Sequence, residues 1–171
     1  MPNIDIKFNI EEKKWLEYDN NIVKNITIFL KEISKKIEIN LLKGSVDIEI
    51  SILLTNNNQI RKLNQNYRQK HKATNILAFP LYDINLRNNK NISEYLFDNN
   101  LMLGDLVLSL EYIKNESVEQ DKNFDHHLKH LLLHGLLHLI GYDHIDNNDR
   151  KTMEELEINI LKEFNIKDPY L

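Results

Sequence analysis

The stretch from about Phe124 to Ile140 narrows the possible folds more than any other part of the chain. A helix through it is apolar on nearly every side, so it must be central and covered by other elements. Gly141 follows and can end it by taking a positive φ. This helix is no membrane span. Its most apolar part, Leu131–Ile140, is broken by His134 and His138 and is far too short to cross a bilayer. The rest of the chain supplies the cover. Ile4, Ile6, Phe8 and Ile10 alternate with polar residues, the period of a half-buried strand, and Val46, Ile48, Ile50 and Ile52 do the same. Between them, Asp19 can cap a helix carrying Ile22, Ile26, Phe29, Leu30, Ile33 and Ile37, with Gly44 as its stop. Asn56–Arg68 reads as a helix burying Ile60, Leu63 and Tyr67. Asn75–Phe79 reads as a short strand ended by Pro80, and Leu103–Leu108 as a further strand. Asp83–Asn100, rich in Asn, reads as a surface loop with one helical turn near Ser93–Phe97, and Ser109 can cap a turn beginning at Leu110. A last helix, about Asn148–Phe164, turns Met153, Leu156, Ile160 and Phe164 inward. The expected fold is α+β: a single domain over residues 1–171, with about four strands in one sheet, packed by helices around a central helix.

At 171 residues, 42% hydrophobic and 28% charged, the chain can bury a core without a metal or disulfide. It has no cysteine, which excludes a disulfide framework and any thiolate metal site. The first residues show no signal-peptide pattern, so a cytoplasmic protein is expected. The net charge of −4 argues against indiscriminate polyanion binding, but the charge is segregated. Ser51–Tyr82 contains no acid, yet holds Arg61, Lys62, Arg68, Lys70 and Lys72. Acids gather elsewhere, as at Glu154, Glu155 and Glu157. One basic face on an acidic protein is expected.

His134 and His138 carry the chemistry. Four residues apart, they share one helix face, roughly 6 Å apart along the axis. If Gly141 turns the chain back, His144 can complete a three-nitrogen set. Such a site leaves a position for water on zinc, with a pKa lowered to about 7. His126, His127 and His130 crowd the same helix without a partner like His144 and read as supporting, surface or RNA-facing groups. Zinc peptidases of this spacing carry Glu directly after the first His as general base. Here that residue is Gly135, which counts against peptide hydrolysis. Asp143 could substitute as base, orient a ligand histidine or cap a turn.

The run His134-Gly135-x-Leu137-His138-Leu139-x-Gly141-Tyr142-Asp143-His144 resembles the signature of the YbeY family of bacterial endoribonucleases. Leu63-Asn64-x-x-Tyr67-Arg68-x-Lys70, Thr74-Asn75-Ile76-Leu77-Ala78-Phe79-Pro80 and Leu103-Gly104-Asp105-Leu106-Val107-Leu108-Ser109 resemble its other blocks. The pattern differs at His71, Ala73 and Ala78, where an acid, proline and serine are common. The resemblance implies a metal-dependent enzyme cutting single-stranded RNA in 16S rRNA 3′-end maturation and ribosome quality control. Its ligands would be His134, His138 and His144, holding one zinc or another divalent ion, and its functional arginine would be Arg68. A guanidinium suits that task, since it can hold a phosphate through two hydrogen bonds and stabilise developing charge. Lys70 and Lys72 read as weaker neutralisers of the RNA backbone. Asp105 reads as a turn residue. The implied partners are rRNA and ribosome-assembly factors, with no membrane. The alternative is an RNA-binding assembly factor whose metal is mainly structural.

Overall fold

The period-2 segments pair into one mixed sheet. In a computed structural model describing residues 3–37, 39, 46–86, 92–143 and 146–171, the strands are β1 (Asn3–Ile10), β2 (Asp47–Thr55), β3 (Ile76–Pro80) and β4 (Asn100–Ser109). Their order is β1-β2-β4-β3. β1 and β4 run parallel to β2, while β3 lies antiparallel to β4 as an edge strand. The helices are α1 (Lys14–Tyr18), α2 (Ile22–Ser34), α3 (Asn57–Arg68), α4 (Leu110–Glu119), α5 (Phe124–Leu139) and α6 (Asn147–Glu163). The expected α+β fold, with its four-stranded sheet and central helix, is the observed one.

α5 is central because only a helix covered on most sides can bury so many leucines. It touches β3, β4, α2, α4 and α6, and its leucines at 128, 131, 132, 133, 136, 137 and 139 are all buried. Its seat on the sheet explains Gly135. A Cβ there would stand 2.8 Å from Ile76 Cδ1 and 2.8 Å from Leu106 Cδ2. The next residues along those strands, Leu77 and Val107, pack instead with Ile60 of α3. Side chains alternate across a strand, so α5 and α3 cover opposite sheet faces.

Several local expectations change. α2 is capped at Asn21, not Asp19; the Asp19 carboxylate instead accepts from the Asn21 backbone N–H and the Asn25 side chain. Gly44, expected to stop that helix, lies outside the described residues. Ser109 stands at the N-cap position as expected, but its hydroxyl donates to Asn57 Oδ1 instead of bonding the helix, and the segment beginning at Leu110 is a full helix, α4. α1 had no expectation, and it buries Trp15, whose Nε1 donates to the Thr55 carbonyl. The loop after β3 buries Ile84, Leu86 and Ile92, so it is part of the core rather than only surface. No helix among the described residues is long and apolar enough to cross a membrane.

Candidate metal centre and cleft

His127, His130, His134 and His138 are spaced by three, four and four residues and form one stripe on α5. His130, His134 and His138 of this stripe line a cleft of about 870 Å³ between α5, β3 and the segment after Pro80. His138 Nδ1 lies 3.0 Å from the Tyr142 carbonyl. A carbonyl only accepts, so Nδ1 carries the proton. His134 Nδ1 lies 2.8 Å from Glu157 Oε1 and donates likewise. In the neutral rings, both lone pairs then reside on Nε2, and the two Nε2 atoms stand 3.1 Å apart. Two nitrogens bound to one tetrahedral zinc at about 2.0–2.1 Å would be roughly 3.3 Å apart. The donor set therefore fits a shared cation.

The end of α5 builds half of this arrangement. Gly141 has φ +96°, and its N–H bonds the His138 carbonyl while the Tyr142 N–H reaches back to Leu137. This pair of bonds is a Schellman turn, which needs a left-handed residue after the helix. The same turn brings the Tyr142 carbonyl to His138 Nδ1. Any side chain at 141 would meet Ile84 O at 2.3 Å.

Glu157 of α6 builds the other half, and the sequence singled it out only as one of a run of acids with Glu154 and Glu155. It is 0% exposed. Its other oxygen accepts from the Tyr170 hydroxyl and lies 3.5 Å from His130 Nε2. Burial pushes its pKa up, but the hydrogen bonds from His130, His134 and Tyr170 overcome this and hold it at about 2. An ionised acceptor keeps the His134 proton on Nδ1. Burial, with the hydrogen bond to Glu157 next, pushes the Tyr170 phenol up. Helical spacing alone offered a signal for Glu157, since it falls between the inward positions 153 and 160/161.

His130, His134 and Glu157 bring one donor atom each within 4.8 Å of one another and could themselves hold an ion. The His134–Glu157 contact has the length of an ordinary hydrogen bond, however, whereas the His134 and His138 Nε2 atoms, 3.1 Å apart, have no proton between them when both rings donate through Nδ1. His127 and His130 are therefore not surface groups. His127 is 4% exposed, and its Nε2 lies 2.7 Å from Glu116 Oε2, which also accepts from Asn75. Burial raises the Glu116 pKa, and the bonds from His127 and Asn75 outweigh it, leaving the carboxyl below its ordinary value.

Arg68 ends α3 and lines the same cleft as His134 and His138; it is exposed, and no carboxylate pairs with it among the described residues. Gln69 follows at φ 57°, reversing the chain, and buried Asn64 ties this turn by donating to the Lys72 carbonyl. Lys70 and Lys72 are exposed on the turn and do not line the cleft. Asp143 lines it, whereas Asp105 sits on the sheet face away from α5. His144 lies outside the described residues. Tyr67, expected to pack inward, is 69% exposed.

The sequence profile of the family described as Endoribonuclease YbeY matches residues 7–165. A protein named Endoribonuclease YbeY from Ehrlichia canis is 37% identical over 166 residues, covering 97% of each chain. One of the same name from Agrobacterium fabrum is 34% identical over 176 residues, covering 99% of this chain and 96% of its own. A solution structure of a Thermotoga maritima protein shares the fold, with a TM-score of 0.52 and 24% identity over 95% of this chain and 91% of that one.

Proposed function

The chain belongs to the YbeY family of endoribonucleases, and from that premise we propose a zinc-dependent enzyme that cuts single-stranded RNA held in the cleft between α5 and β3. His134, His138 and His144 hold one divalent ion in this reading. The observation that carries it is the 3.1 Å approach of the His134 and His138 Nε2 atoms while both Nδ1 atoms donate elsewhere. An ion bound there supplies a Lewis acid for a phosphoryl oxygen and a means of lowering the pKa of water. The protein's own groups do the rest. Glu157 and the Tyr142 carbonyl keep both rings turned with Nε2 toward the cleft. Arg68 holds the scissile phosphate and steadies charge as it accumulates. The substrate in this reading is rRNA, at the 16S 3′ end and in ribosome quality control, in the cytoplasm and alongside ribosome-assembly factors. The family resemblance supports that part.

Single-turnover cleavage of a defined single-stranded RNA tests the proposal. Metal-replete protein cuts and chelated protein does not. Arg68→Ala keeps its metal and its melting temperature but loses on the order of 10²–10³ in rate, the usual cost of removing one donor to transition-state charge. Replete protein that binds the RNA and leaves it whole would favour the assembly-factor reading with a structural metal.

A further inference from the structure

Exposed Tyr67 and half-buried Phe79 form an aromatic pair that the cleft does not use. Their ring centroids are 5.1 Å apart with planes at 61°, so Phe79 supports the Tyr67 ring edge to face. They line a hollow of about 480 Å³ on the sheet face away from α5, together with Leu53, Leu63 and Val107. We propose that this pair is a base-stacking subsite for a nucleotide of single-stranded RNA adjoining the one whose phosphate meets Arg68. The proposal rests on the endoribonuclease reading and extends it to the substrate's path.

Three observations carry it. Tyr67 and Arg68 are consecutive on the last turn of α3, so their side chains diverge by about 100°. One reaches the hollow and the other the cleft. β3 separates the two spaces, with Ala78 lining the cleft and Phe79 the hollow. It is an edge strand, so a flexible polymer can pass around its unpaired side. The charge also suits a polyanion. Lys70 and Lys72 are exposed just beyond Arg68, and no acid occurs from Ser51 to Tyr82. Among the described residues, Asp105 is the one acid lining the hollow, and the lining base, Lys7, is paired with Asp5. Every base has a π-face, so such a subsite would hold RNA without reading its sequence. A protein-docking surface would call for a broader apolar patch than this polar-rimmed hollow offers.

The test measures affinity of a short fluorescent single-stranded RNA for wild type, Tyr67→Ala and Tyr67→Phe, with melting temperature and metal content on the same samples. Tyr67→Ala should weaken binding by about 5- to 150-fold, the worth of one base on an aromatic ring. Tyr67→Phe should stay near wild type. RNAs with one abasic residue scanned along the strand locate the partner. At one position the lesion should weaken wild type as much as Tyr67→Ala does, and should not weaken Tyr67→Ala further. Wild type that binds and cuts RNA, with a folded Tyr67→Ala indistinguishable from it, overturns the subsite and leaves the endoribonuclease reading intact. Unchanged RNA affinity with loss of a protein partner overturns it in favour of protein docking. Wild type that neither binds nor cuts single-stranded RNA removes the reading beneath it.

Discussion

A carboxylate with no exposed surface costs several kcal/mol to bury unless its charge is met by partners. Glu157 meets that demand with His134, Tyr170 and the nearby His130, all at the cleft. It determines which nitrogen of His134 is available, and ligand-orienting carboxylates of this kind typically carry 10–100-fold in metal affinity. Glu157→Gln should therefore weaken metal binding, toward about 10-fold because the amide oxygen can still accept from Nδ1. Chelator competition on protein shown to be folded reads this out directly. Unchanged affinity would mean that Glu157 only braces α6 against α5. The sequence made the histidines legible because both sit on one helix. Glu157 lies 23 residues from His134 on another helix, and no local period links them.

Helix α5 depends on two glycines in different ways, and magnitudes separate them. At Gly135 an added Cβ meets only the mobile ends of Ile76 and Leu106. Overpacking of that kind costs about 1–3 kcal/mol, and alanine returns about 1 kcal/mol through helix propensity. At Gly141 the Cβ meets backbone atoms of Ile84 and Asn85, and a left-handed φ adds a penalty of roughly 1–2 kcal/mol. Gly141→Ala should be the more destabilising change. It should also lower metal affinity, because the Schellman turn presents the Tyr142 carbonyl to His138. At about 2–4 °C per kcal/mol for a chain of this size, the difference is visible in thermal melts. Equal melting temperatures for the two variants would refute this ranking. Gly135 read from sequence as a missing general base. Its place against β3 and β4 shows a further constraint, since a glutamate there would push into Ile76 and Leu106.

Across the whole molecule the net charge is −4, yet the chain's basic window borders the cleft through Arg68. If Arg68, Lys70 and Lys72 each displace a counterion from single-stranded RNA, the slope of log affinity against log salt should be about −2. Lys70→Ala and Lys72→Ala should each flatten it by about 0.7. Filter-binding titrations over a range of salt measure both. A flat salt dependence would place the RNA away from this window.

Local chemistry sufficed for the strands, for α3 and α5, and for the His134–His138 pair, because period-2 and period-3.6 burial and the glycine after a helix act within a few residues. The short α1, and α4 with its sparse apolar stripe of Leu110 and Ile113, carried too weak a period to read. Tertiary structure decided what depends on contacts between distant segments. It turned Tyr67 outward, tied His127 to Glu116 across 11 residues, and buried Glu157 beneath the cleft. A burial period says which face of a helix points inward, but a hydrogen bond between two inward faces exists only once the helices have packed.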